Sequence, residues 1–190
     1  PPAPAIVSKR GGLAELTWVF SAFLLPQAAT IPIYGRLADL YGRRRVFAAG
    51  TGLFLVGSLL CGLATSMTQL ILFRVVQGAG AGPVQPVAST IIGDIFTMEE
   101  RARMQGWLSS VWGIASLVGP LVGGFVVEQV HWAWVFWINL PIGPLAIAGV
   151  YLCLREPAVR KQHSVDYAGA ALLACGVSLL LFALLQGGVA

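Results

Sequence analysis

Charge in this chain is confined to a few short clumps. Only 11% of its 190 residues are Asp, Glu, Lys or Arg, against about 25% in a typical soluble domain. Between the clumps lie apolar runs of roughly 20 residues, the length that crosses ~30 Å of hydrocarbon. They occupy residues 13–34, 46–64, 70–96, 105–127, 133–154 and 167–187. A helix on the surface of a soluble protein keeps a polar face, and these runs lack one. The pattern predicts an all-α, polytopic transmembrane helix bundle embedded in lipid, with six spans present.

The densest clump is Gly35-Arg-Leu-Ala-Asp39-Leu-Tyr-Gly42-Arg43-Arg44-Arg45. It reads as the turn of a membrane hairpin. Basic residues recur at every second connection: Arg36 and Arg43–Arg45 in the first, Arg101 and Arg103 in the third, Arg155, Arg160 and Lys161 in the fifth. The second connection, residues 65–69, carries no charge. The positive-inside rule then places the arginine-rich side in the cytoplasm of a cell (plasma or inner) membrane. Trp18 and the Trp132/Trp134/Trp137 cluster fall at the outer boundary, as aromatic anchors do. This orientation puts residue 1 outside the cell without a visible export signal. The expectation is a piece of a longer protein, with a span upstream whose outer tip is residues 1–7. Three regions are expected: a bundle at 1–154 lacking most of its first helix, a cytoplasmic linker at 155–166, and an additional span at 167–190.

Several function classes lose support at once. The net charge of +4 sits mostly at span ends on one side, so it indicates topology, and no nucleic-acid partner is expected. Cys61, Cys153 and Cys175 all lie inside apolar runs and act as small packing residues. His131 and His163 are isolated in separate loops, so no metal or other cofactor is expected. No nucleophile–base pattern and no paired intramembrane carboxylates occur. The chain is not expected to be an enzyme.

Polar residues inside the spans carry the functional signal. Arg74 lies about one turn inside the third span, where a charge costs up to ~2.5–3.5 kcal/mol. Two readings are open. The side chain either snorkels to the headgroups or faces a polar interior, which Gln77 and the glycines at 78, 80 and 82 favour. That third run is longer than a bilayer needs and carries Pro83 and Pro86, so a tilt or kink is expected. Gly113, Gly119, Pro120, Gly123 and Gly124 make the fourth run a small-residue helix. It suits close packing or, with Pro120 bending it, a moving interface. Gln27, Thr30 and Gln85 are candidates for lining a pathway, and bonding to a neighbouring helix is equally open.

These motifs, in this order and over essentially the whole chain, resemble the major facilitator superfamily. The likeness is nearest to its fourteen-span drug:proton antiporters of the EmrB/QacA type. The opening clump resembles motif A, through Gly35, Asp39, Gly42, Arg43 and Arg44. Arg74-x2-Gln77-Gly78-x-Gly80 resembles motif B. Gly106-x8-Ala115-x3-Gly119-Pro120-x2-Gly123-Gly124 resembles the antiporter motif C, with alanine at 115 where glycine is usual. Residues 132–143 are similar to the opening of family span six, and Asp166-Tyr167-x-Gly169 to the start of the seventh. The six runs then correspond to family spans two to seven.

The resemblance implies roles. Asp39 would cap a helix of the opposite half and help hold an outward-open state. Arg43 would pair with Asp94, while Arg44 and Arg45 are equally topology anchors. Motif B implies proton transfer, with coupling to a proton gradient in place of a cofactor. The titrating carboxylate is expected in sequence outside this chain. The implied function is proton-coupled efflux of small amphipathic drugs by alternating access, with membrane lipid and the second half of the same transporter as partners. The alternatives are a facilitator for one natural metabolite (siderophore, sugar or amino acid) and a non-transporting membrane sensor.

Overall fold

The computed structural model describes residues 12–154 and the isolated positions 169, 172 and 176. The side chains at 12–16, 94, 95 and 153 lie outside the described residues. So do the expected linker and, apart from those three positions, the expected last span. Seven helices form the described part: α1 (Gly12–Tyr41), α2 (Arg43–Gly62), α3 (Met67–Ala81), α4 (Val84–Ile95), α5 (Met98–Gln129), α6 (Trp134–Trp137) and α7 (Asn139–Cys153). By length and composition, three helical stretches among them can each cross a membrane: Arg43–Gly62, Met98–Gln129 and Trp134–Leu152. The helix α1, at 30 residues, reaches about 45 Å.

The first connection is far tighter than its sequence implies. The arginine-rich clump is helical almost throughout, α1 running on to Tyr41 and α2 starting at Arg43. The reversal rests on Gly42 alone, with φ 90° and ψ 146°. That region is essentially closed to side chains with a Cβ. Gly42 N donates to Ala38 O at 3.1 Å, and Val46 N donates to Gly42 O at 3.2 Å. One residue therefore ends one helix and begins the next.

The third apolar run is divided into two helices, although the link keeps helical dihedrals (Gly82 φ −53°, ψ −41°; Pro83 φ −76°, ψ −17°), which is compatible with the expected kink. Helix α3 ends at Ala81 and α4 starts at Val84, with Gly82 and Pro83 between them. Pro83 and Pro86 lack the amide hydrogens a continuous helix would use. In the fifth run α6 and α7 meet at Ile138, whose backbone is itself helical (φ −57°, ψ −25°), so they continue as one stretch.

An apolar core closes the arginine-rich end. Ala38, Val46, Phe47 and Val87 are buried together, with Tyr34, Leu37, Ile91, Ile147 and Val150 packed against them. It joins the end of α1, the start of α2, α4 and the end of α7. Arg101 from α5 caps α4: its Nε donates to Phe96 O at 3.0 Å, and its Nη2 donates to Gly93 O. The last carbonyls of a helix lack intrahelical partners and carry partial negative charge, so a cation there is favourable. Thr97 and Glu100 form a reciprocal capping box at the start of α5.

The helix α5 stands apart from this packing. None of its residues is buried, and its principal contacts are with its sequence neighbours α4 and α6. A Cβ built on Gly106, Gly113, Gly119, Gly123 or Gly124 meets nothing within 4 Å. The close packing expected of these glycines is not made within the described residues.

Two stability outcomes follow. Replacing Gly42 with Ala should cost about 1–3 kcal/mol, because the backbone must leave its positive φ or bear the strain. Thr97→Ala should cost about 1 kcal/mol through the lost cap. Thermal unfolding in detergent checks both, and a Gly42→Ala protein that melts with the wild type would contradict the one-residue turn.

Candidate functional site

Close backbone approach builds the other end of the bundle. A Cβ on Gly78 would meet the backbone of Phe23 on α1, and one on Gly80 would meet the backbone of Phe54 on α2. On the facing side, a Cβ on Gly57 would meet the backbone of Gln77. These missing side chains let α3 seat against both α1 and α2, as small residues do between membrane helices. The seating brings polar side chains from several helices together.

Arg74 lies at the centre of that contact. Its guanidinium carbon is 4.9 Å from the Phe23 ring centroid and 5.4 Å from that of Phe136. Both distances fall within cation–π range. Its Nη1 donates to Gln77 Oε1 at 3.1 Å. Gln77 is 2% exposed, and its Nε2 donates to Ser58 Oγ at 2.6 Å. Asn139 Nδ2, at the start of α7, donates to the same oxygen at 3.4 Å and to Phe136 O at 3.1 Å. The Cys61 thiol approaches Gln77 Oε1 at 3.7 Å. The geometry thus turns Arg74 toward its neighbouring helices. Five helical segments contribute to the cluster, and no carboxylate bonds to Arg74 among the described residues.

The remaining sequence candidates are placed less uniformly. Thr30 Oγ1 donates to Pro26 O at 2.8 Å and also lies 3.3 Å from Ala79 O. A Cβ on Gly82 would touch that hydroxyl, so Thr30 sits at the α1–α3 contact. Gln27 is half-buried on α1, and Gln85 is exposed on α4. Arg43 Nη1 reaches Thr90 O on α4 at 3.5 Å, while the side chain of Asp94 lies outside the described residues. Arg44 is half-buried in the first turn of α2, Gly35 lies in open space, and Asp39 is exposed. The motif C residues are all on α5, away from the Arg74 cluster.

Sequence reasoning passed over Phe23, Ser58, Phe136 and Asn139 as site residues. A serine beside a glycine in an apolar run reads as packing. Asn139, however, was a visible signal, a lone amide between a tryptophan cluster and Pro141.

Helices of membrane-spanning length around a buried cationic cluster define a polytopic membrane protein with a polar interior. Comparison with known proteins gives its family. Residues 1–189 match the Major Facilitator Superfamily, and the chain belongs to it. The chain is 43% identical to the multidrug transporter protein MdtP of Bacillus subtilis, over 97% of this chain and 34% of that protein. It is 41% identical to multidrug resistance protein 3 of the same organism, over 96% and 36%, and 39% identical to the efflux pump dotC of Dothistroma septosporum, over 98% and 33%. The chain thus spans about a third of the length of these relatives. The solved structure of an auto-inhibited POT family peptide transporter aligns with TM-score 0.67 at 19% identity, covering 96% of this chain and 42% of that one. At that identity the likeness speaks for the fold.

The Gly57 contact yields a direct test of how the cluster is assembled. Gly57→Leu should push α2 from α3 and cost about 1–3 kcal/mol, as overpacking does. Unchanged thermal unfolding in detergent would show that the two helices do not meet there.

Proposed function

We propose that this chain is part of a proton-coupled efflux transporter that exports amphipathic drugs or toxic compounds by alternating access. The relatives named for multidrug transport and efflux support the direction and substrate class. The observation that carries the mechanism is Arg74, a fixed cation held by Gln77 between two aromatic rings. Such a charge favours the ionised form of a nearby carboxylate. Through this reading a carboxylate elsewhere in the full-length protein loads and releases protons against it.

The other assignments follow within the same proposal. The arginine-rich connections face the cytoplasm of a cell membrane. Residues 1–154 are the transmembrane bundle, 155–166 a linker and 167–190 a further span. Arg43, already on α4 through Thr90 O, pairs with Asp94 as a latch that Asp39 completes against the second half. The open glycine face of α5, with Pro120 in its middle, is a surface that slides during exchange.

Dye efflux from cells carrying the full-length protein tests this. Arg74→Ala and Gly119→Leu, at matched expression, should each slow export by about tenfold, the effect of ~1.4 kcal/mol. A protonophore should stop export altogether. Variants that export like the wild type would overturn the site assignment, and export that survives the protonophore would overturn the coupling.

A further inference from the structure

The Arg74 cluster contains two side-chain amides, and donor–acceptor chemistry fixes which way each one faces. A backbone carbonyl can only accept. Asn139 must therefore turn its nitrogen toward Phe136 O, and that same nitrogen reaches Ser58 Oγ. Gln77 Nε2 donates to the same hydroxyl oxygen. A hydroxyl oxygen has two acceptor lone pairs, and these two amides fill them. A serine hydroxyl also donates and so accommodates either face of the amide; Arg74 Nη1, a donor only, is what commits the Gln77 nitrogen to Ser58. The Gln77 oxygen is left facing Arg74, where it accepts from Nη1. The flipped amide would set an NH2 group against a cation.

We propose that Ser58 and Asn139 are positioning residues that lock the Gln77 amide and, through it, the orientation of the Arg74 guanidinium. Ser58 is 0% exposed, so no water is at hand to replace it. The lock spans α2, α3 and the start of α7, and its longest contact is Asn139 Nδ2 to Ser58 Oγ at 3.4 Å. A shift that draws α7 away from α2 breaks the Asn139–Ser58 contact and leaves Ser58 held to Gln77 alone. Helix position and the presentation of the cation are therefore linked. This inference rests on the reading of Arg74 as the functional cation.

The test uses the full-length protein in proteoliposomes, with ethidium as the transported probe. Ser58→Ala, Ser58→Thr, Asn139→Ala, the double variant Ser58→Ala/Asn139→Ala, and Arg74→Ala are compared, each with its thermal unfolding. Ser58→Ala and Asn139→Ala should each lower kcat/KM about three- to tenfold, the weight of one hydrogen bond. The double variant should lose no more than the worse single variant, because both act through one amide. Ser58→Thr keeps the oxygen and should restore transport. Single variants at wild-type kcat/KM, or losses that add in the double variant, overturn the proposal. If Ser58→Ala fails to fold, Asn139→Ala decides alone, and wild-type transport in it is fatal to the idea. Wild-type transport by Arg74→Ala would instead remove the functional reading beneath it.

Discussion

A guanidinium held among apolar helices depends on the protein for most of its partners, and Arg74 is half-buried there. Arg74 meets that demand in part, with two aromatic faces and one amide oxygen, while its Nε is buried without a hydrogen-bond partner. Each of those partners comes from a different place in the fold. Phe23 lies on α1, Gln77 one turn along α3, and Phe136 on α6. Moving any of these elements away exposes a charge to hydrocarbon, at a cost that reaches several kcal/mol. The cluster is therefore a constraint on the packing of the whole upper bundle, quite apart from any role in transport.

The two ends of the bundle solve different problems. The arginine-rich end holds an apolar core around Phe47 and Val87, and its charges serve as caps. Arg101 covers the last carbonyls of α4, and Arg43 reaches Thr90 O one turn earlier. The opposite end carries the polar cluster and is assembled through missing side chains at Gly57, Gly78 and Gly80. Between them, Gly82 and Pro83 separate α3 from α4. The half that holds Arg74 and the half that is clasped by arginines are thus two helices, joined through Gly82 and Pro83 with helical dihedrals.

Most of the architecture was legible in the chain. Apolar runs and charge clumps marked the helices, because a lipid-exposed helix needs about 20 apolar residues whatever its neighbours are. The order of the glycine and arginine motifs pointed to the superfamily that the comparisons then gave. Helix ends were less legible. The eleven-residue clump reads as a loop because its charges suggest water, yet its backbone stays helical and turns at one glycine.

By itself, then, the sequence determined that this chain is a helical membrane protein and that Arg74 and Gln77 share a helix face. It did so because hydropathy and helical periodicity are local. Only the tertiary structure decided which partners they meet. Ser58 and Asn139 are 81 residues apart, and their contact at 3.4 Å depends on how closely α2, α3 and α7 approach. That approach is set by side chains that are absent at facing glycines. A single glycine looks the same in sequence whether it seats a neighbour, as Gly80 does, or faces open space, as Gly119 does among the described residues.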